Sequence, residues 1–267
     1  MSRCPVILLA DCSVPKIANI ASQLKDGLGD TVEFLEEAAN KKPHMAIAIG
    51  GDGTLIKHGR TLAQKGIPLV GVNSGKLGFL AKFDVTSLIT QRDSVFVDVA
   101  PMVQTKLLQI DIDNHETCIA MNEAMIAAGF PFRLIELGLS INGVPAPSLR
   151  GDGIILSSPI GSTAHNASVG GPIVDPSAKV MVLTPLAAHS LAVRPIIMNA
   201  TADVILEILQ VNEGTALIVD GEVKCKLENG MKVRIRQSKH SLSIVLNPTS
   251  TYWNTLVDKL HWAAPPG

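Results

Sequence analysis

Met45-Ala46-Ile47-Ala48-Ile49-Gly50-Gly51-Asp52-Gly53-Thr54 joins a short apolar run to a glycine-rich turn, and a helical stretch from Leu55 to Gln64 follows without a linker. An unbroken apolar run bounded by glycines predicts a buried strand, so the segment reads strand, turn, helix. Upstream, Val6 to Ala10 reads as a first strand, and Pro15 to Leu28, with Ile17, Ile20, Ala21 and Leu24 on one side, as a helix ended by Gly29. Downstream, Ile67 to Val72 repeats the strand pattern, and Asn73-Ser74-Gly75-Lys76-Leu77-Gly78 is its following loop. This alternation is that of a parallel sheet, and it puts two loops at the carboxyl ends of neighbouring strands, where open α/β sheets bind ligands.

Beyond Pro101 the pattern changes to short strand candidates: Leu107 to Asp113, Leu134 to Ile141, Val180 to Leu183, Val204 to Leu209, Ala216 to Val219, Lys232 to Ile235 and Leu242 to Leu246. Ile141-Asn142-Gly143 and Val219-Asp220-Gly221 carry the Asn-Gly and Asp-Gly signals of hairpins. Tyr252 to Trp262, with Trp253, Leu256, Val257 and Leu260 at helical spacing, predicts a closing helix. Two domains are expected: residues 1–99 together with 248–267, and residues 100–247.

In this chain of 267 residues, 46% are hydrophobic but 3% aromatic, so Ala, Val, Ile and Leu must build the core. Twenty-three Lys plus Arg against 24 Asp plus Glu leave a net charge of -1 with no long basic run, which argues against a nucleic-acid partner. Mean hydropathy is +0.30. Charge, Pro or Gly nevertheless breaks every apolar run well before the ~18 residues of a membrane span. Met1-Ser2-Arg3-Cys4-Pro5-Val6 shows no export signal, and Cys4, Cys12, Cys118 and Cys225 form no CxxC pair. A cytoplasmic protein with reduced thiols and no membrane partner is expected.

In Gly50-Gly51-Asp52-Gly53-Thr54, glycines let backbone amides approach a polyphosphate, and the helix N-terminus favours its charge. Asp52 can take the proton of a hydroxyl as its oxygen attacks a γ-phosphoryl group, with Mg²⁺ offsetting phosphate charge. The alternative is a plain turn with Asp52 as helix N-cap. Neither GxGxxG, Walker P-loop, GxSxG nor HExxH is present. The stretch from Arg150 to Pro172, dense in small and hydroxyl residues, suits a backbone-lined pocket for a polar heterocycle rather than a core; a surface loop is its alternative. His44, His58, His115, His240 and His261 share no metal-ligand spacing, and His189 suits a structural role as well as a ligand contact. No metal residue and no tightly bound prosthetic group is expected.

Six motifs, in this order, resemble the NAD kinase family over nearly the whole chain: residues 50–54, Asn73 to Leu80, Asn122-Glu123, Gly151 to Pro172, Pro185 to Leu191 with Arg194-Pro195, and Tyr252 to Trp262. The resemblance implies an α/β N-terminal domain with a Rossmann-like parallel sheet, an all-β, sandwich-like C-terminal domain, and a last segment returning to the first. It implies transfer of a phosphoryl group from ATP, or polyphosphate, with Mg²⁺ or another divalent cation, to the adenosine ribose 2′-hydroxyl of NAD, giving NADP. Asp52 would be the catalytic base. Gly51, Gly53, Thr54, Asn73, Gly75, Phe79, Ser158 and Ala187 would contact nucleotides, Asn122 and Glu123 the ribose and adenine region, and Thr163, Ala164, His165, Asn166, Ala167 and Ser168 the adenine. Arg133, Arg150 and Asp152 would meet the dinucleotide, in part from a neighbouring subunit of a homo-oligomer, dimer or tetramer.

Three positions depart from the family pattern. Ile160 lacks a hydroxyl and His165 stands where an aromatic ring would lie against adenine, a contact worth roughly 1 to 3 kcal/mol. Glu222 stands where Gln is common, and its carboxylate would repel a diphosphate unless it points away. The rival readings are a lipid kinase sharing the glycine-rich turn and a catalytically silent NAD(P)-binding regulator.

Overall fold

The computed structural model describes residues 3–36, 41–75, 78–190 and 192–263. Of the motif residues read above, Lys76, Leu77 and Leu191 lie outside the described residues, as do Met1 and Ser2 of the N-terminal reading. Two compact units form: residues up to Gln104 together with those from Ser241 onward, and Thr105–His240. Both bounds fall inside long strands, whereas those expected at 99/100 and 247/248 lie in the flanking connections.

In the first unit β1 (Cys4–Leu9), β2 (Val32–Leu35), β3 (Met45–Gly50) and β4 (Leu69–Asn73) lie parallel in the spatial order β2-β1-β3-β4. Helices α1 (Pro15–Leu28), α2 (Asp52–Lys65), α3 (Val85–Thr90) and α4 (Arg92–Val95) complete it. Every residue of β3 is buried, which explains its unbroken apolar run. The β3–β4 register ends on Gly50 opposite Asn73, so the loops after the two strands start side by side, as expected. Helix α2 begins at Asp52 rather than Leu55 and ends at Gly66, whose φ of 64° closes the helix in the left-handed conformation. The Asp52 side chain is not its cap: Gly51 is the N-cap residue, without a side-chain bond.

The second unit is all-β apart from short turns. Its strands are β5 (Met102–Ile112), β6 (Cys118–Ala120), β7 (Glu123–Ala127), β8 (Ile135–Ile141), β9 (Val144–Gly151), β10 (Gly153–Ser157), β11 (Val180–Leu186), β12 (Ile196–Asn199), β13 (Val204–Gln210), β14 (Ala216–Val219), β15 (Glu222–Lys226) and β16 (Lys232–Val245). One sheet runs β16-β13-β8-β9, with β5 beside β16 and β6 beside β5; the other runs β12-β11-β10-β7-β14-β15. A single cluster including Leu137, Ile154, Leu156, Leu183, Leu206, Val219 and Val233 forms the core of this unit. Both read hairpins exist: Asn142 and Gly143 (φ 52° and 78°) join β8 to β9, and Asp220 and Gly221 (φ 48° and 80°) join β14 to β15.

Two sequence readings are corrected. Lys232 to Ile235 and Leu242 to Leu246 are not separate strands but parts of β16, whose polar middle keeps the strand conformation. The stretch from Arg150 to Pro172 is also not all pocket: Gly153–Ser157 is a wholly buried central strand, β10, followed by a short 3₁₀ turn at Ile160–Thr163 and the single-turn α5 (His165–Ser168).

The first unit closes with Ile244 of β16 beside Leu69 and with α6 (Tyr252–Leu260), capped by the Thr251 side chain. Phe79 and Tyr252 ring centroids lie 6.4 Å apart, Tyr252 and Trp253 6.2 Å, and Trp253 and Trp262 5.8 Å. These contacts join the loop after β4 to α6 within this unit.

Gly153 has a φ of 153°, and a Cβ there would stand 2.0 Å from the Ile126 carbonyl oxygen of β7. Gly153→Ala is therefore expected to lower the unfolding free energy by about 3 kcal/mol in urea titrations, as strain and a backbone clash combine.

Candidate active site

The first cluster of candidate residues sits where β3 gives way to α2. Gly51, Gly53 and Thr54 are exposed at the start of this helix, and a Cβ at Gly51 or Gly53 would meet nothing within 4 Å. Open backbone at the first turn of a 14-residue helix can present amides to an anion.

The Asp52 carboxylate, half-buried beside them, accepts three hydrogen bonds from consecutive amides of the loop after β4. Oδ2 accepts from Phe79 N–H at 2.9 Å, and Oδ1 from Leu80 N–H at 3.1 Å and Ala81 N–H at 3.3 Å. A Cβ on Gly78 would stand 2.2 Å from Oδ1, so glycine lets the loop come this close. The buried Asn73 side chain ties the loop at its start: Nδ2 donates to the Phe83 carbonyl at 3.0 Å, and Oδ1 accepts from Gly75 N–H at 3.2 Å. Asp52, Asn73, Gly75 and Phe79 thus belong to one hydrogen-bonded arrangement, in which Asn73 is a brace.

The second cluster lies within the β-unit and centres on Asn122 and Glu123. A carboxylate that sequence reasoning missed, that of Asp220, accepts from Met121 N–H at 2.8 Å, Asn122 N–H at 2.7 Å and Glu123 N–H at 3.1 Å. The Asp-Gly turn was legible as a hairpin, but nothing in it signalled partners 97 to 99 residues earlier in the chain. Ser158 Oγ donates to the Met121 carbonyl at 2.6 Å and accepts from Gly161 N–H at 3.1 Å, while Ser158 N–H donates to the Asn122 carbonyl at 2.8 Å. Fully buried Asn166 donates to the Ser162 and Pro172 carbonyls and accepts from Thr184 Oγ1 at 2.6 Å. Ser158 and Asn166, read as ligand contacts, spend their side chains on holding the frame; Thr163, Ala164, Ala167 and the exposed His165 and Ser168 surround Asn166 in sequence.

Two oxygens in this frame lack a partner. Asn122 Oδ1 and Glu123 Oε2 are buried without a hydrogen bond, though both residues are only 7–8% exposed. Orphaned acceptors carry a desolvation penalty, which a ligand bearing hydroxyl or amino donors would remove. Burial, with the Asp220 charge adding to it, pushes the Glu123 carboxyl up to about 7.

The remaining candidates are exposed. Arg133 lies in the loop after β7, its carbonyl accepting from Asn212 Nδ2 at 2.5 Å. Arg150 Nε stands 3.6 Å from Glu136, Asp152 lies between β9 and β10, and Ala187 has a φ of 41° just after β11. Glu222 pairs with Lys224 Nζ at 2.6 Å, so its carboxylate is directed along β15 at a cation. Ile160 is buried, so its side chain packs where a hydroxyl was expected.

An exposed glycine-rich helix start beside an anchored carboxylate has the parts of a phosphotransferase. The residues matched by known families narrow that class. Residues 9–98 match the ATP-NAD kinase N-terminal domain and residues 121–247 the ATP-NAD kinase C-terminal domain, and the chain belongs to the NAD kinase family. It is 32% identical over 235 residues to the NAD kinase of Rhodopirellula baltica, covering 86% of this chain and 76% of the relative. To that of Bacteroides fragilis it is 33% identical over 248 residues, covering 92% and 84%. The fold is similar to that of yeast NADH kinase complexed with NADH (TM-score 0.86, 18% identity, 99% of this chain and 89% of that one). It is also similar to an NAD kinase from Archaeoglobus fulgidus in complex with ATP (TM-score 0.70, 21% identity, 92% and 94%). The enzyme is a kinase with an alcohol group as acceptor.

Two outcomes follow for this geometry. A methyl group at position 78 must displace the Asp52 carboxylate from its three donors, so Gly78→Ala is expected to destabilise the protein by about 2 kcal/mol in thermal unfolding. For Glu123, whose folded carboxyl at about 7 lies above its ordinary 4.5, folded and unfolded chains are both neutral at the acid end. As pH rises through that window the unfolded chain ionises first and stability is lost, on the order of 3 kcal/mol once both are charged. Glu123→Gln is therefore expected to raise Tm by several degrees at pH 8 and to leave it nearly unchanged near pH 4.5.

Proposed function

We propose that the 2′-hydroxyl of the adenosine ribose of NAD is phosphorylated from ATP, with polyphosphate as an alternative donor, and that Asp52 takes the hydroxyl proton. The ribose oxygen forms a bond to the γ-phosphorus, the bond to the bridging β–γ oxygen breaks, ADP leaves with that electron pair, and the proton passes to the carboxylate. Oδ2 of Asp52 accepts a single hydrogen bond from Phe79 and so retains a lone pair for the incoming hydroxyl. The three loop amides fix the direction of that lone pair before substrate arrives.

The observation that carries this acceptor is the pair of buried oxygens, Asn122 Oδ1 and Glu123 Oε2. Both accept, and a ribose supplies the hydroxyl donors they lack, whereas a lipid tail supplies none. Gly51, Gly53 and Thr54 meet donor phosphates at the start of α2. Thr163 to Ser168 flank the adenine through backbone and exposed atoms, Arg133, Arg150, Asp152 and Ala187 meet the outer parts of the dinucleotide, and Glu222, held by Lys224, stays off the diphosphate. Among the described residues no group of three or more His, Cys, Asp or Glu could hold a metal ion. A divalent cation such as Mg²⁺ arrives mainly with the donor's phosphates. Among the described residues no helix is long and apolar enough to cross a membrane. A cytoplasmic homo-oligomer, dimer or tetramer, completes the reading.

Incubating the pure protein with ATP, Mg²⁺ and NAD, then measuring NADP with a strictly NADP-dependent dehydrogenase, tests this function; absence of NADP overturns it. In the same assay Asp52→Asn is expected to cut turnover by on the order of 10² to 10⁴, the range for loss of a general base. Unchanged turnover would remove Asp52 from proton transfer.

A further inference from the structure

Two lysines of the first unit stand near the anchored loop, and they differ in environment. Lys16 is exposed, its Nζ 4.0 Å from where a Cβ of Gly75 would lie. Lys82 is half-buried, its ammonium 5.9 Å from the centroid of the Tyr252 ring. Its backbone is pinned on both sides. Ala81 N–H bonds Asp52, Phe83 N–H bonds the Gly71 carbonyl at 3.0 Å, and the Lys82 carbonyl accepts from Asn247 Nδ2 at 3.0 Å. Tyr252 is in turn packed against Phe79, the residue whose amide reaches Asp52 Oδ2.

Burial lowers the pKa of this ammonium, while the Asp52 charge acts in the opposite sense. The cation therefore feels the very carboxylate on which the chemistry centres. No hydrogen bond or ion pair of its own satisfies it among the described residues, and the ring face is a partial substitute. A polyphosphate brought to the start of α2 adds negative charge beside Asp52, an approach that a fixed positive charge must offset. An ammonium suits that task, being a compact charge with three rotatable donors.

We infer that Lys82, held on the Tyr252 ring, is a phosphate-binding residue that meets the donor's phosphoryl oxygens beside Asp52. The inference rests on the phosphoryl-transfer reading above, and polyphosphate binding tests it separately from turnover. Lys82→Met keeps the unbranched length and removes the charge. Titration calorimetry with magnesium tripolyphosphate and with MgATP is expected to give Kd values about tenfold higher for the variant than for the unaltered protein, the worth of one charged hydrogen bond. The difference should shrink as salt is raised. Values within twofold for both ligands overturn the assignment, as does failure of the unaltered protein to bind either. Should Lys82→Met not fold, Lys82→Gln is judged by the same outcomes. NADP formation measured alongside decides the catalytic reading independently: binding through Lys82 without NADP sinks the reaction and leaves the phosphate site standing.

Discussion

Three successive amides converging on one carboxylate, Asp52 with Phe79, Leu80 and Ala81, are the constraint on which the first unit's functional surface depends. Without it the loop after β4 would have no fixed relation to the start of α2. Peptide N–H groups that are part-buried must find acceptors, and here a side chain one strand away supplies them. The same contact orients the carboxylate, so the direction of the Asp52 side chain and the course of the loop share one origin. Gly78 permits the approach and Asn73 secures the entry, so short polar contacts set the course of a segment whose Leu80, Ala81 and Phe83 are buried in the core.

The β-unit repeats the device. Asp220, at a hairpin turn, gathers the amides of Met121, Asn122 and Glu123, and Ser158 and Asn166 fasten the neighbouring turns through buried hydrogen bonds. This leaves the main chain satisfied and two side-chain oxygens unsatisfied. An imbalance of that kind lowers the stability of the fold and favours a donor-bearing ligand, because hydrogen bonds to it recover what burial cost. In both units an aspartate carboxylate fixes the backbone by accepting from three consecutive amides.

Much of this architecture was legible in the sequence. The apolar run at Met45 to Ile49 is buried throughout and gave no alternation to confuse it, and Asn-Gly and Asp-Gly turns encode positive φ directly. Ile154-Ile155-Leu156 was hidden because flanking Gly and Ser residues read as loop, although those serines are fully buried with their hydroxyls bonded. The unity of β16 was hidden by Arg236 to His240, a polar stretch that lies within one continuous strand. Asp52 was recognisable as a candidate base, but its partners lie 27 to 29 residues onward, beyond any local signal. Asp220 and Lys82 escaped for the same reason: each matters through a neighbour that only the folded chain supplies.

The chain holds two tryptophans and one tyrosine, and all three lie in the closing segment, in one series of ring contacts that ends on Phe79. Its entire indole emission therefore originates in this segment, from rings linked through Tyr252 to the loop that Asp52 anchors. Quenching or a spectral shift on adding a phosphorylated ligand would report on that region alone, with no background from the β-unit. The protein carries its own optical probe, placed where the substrate's arrival should be felt.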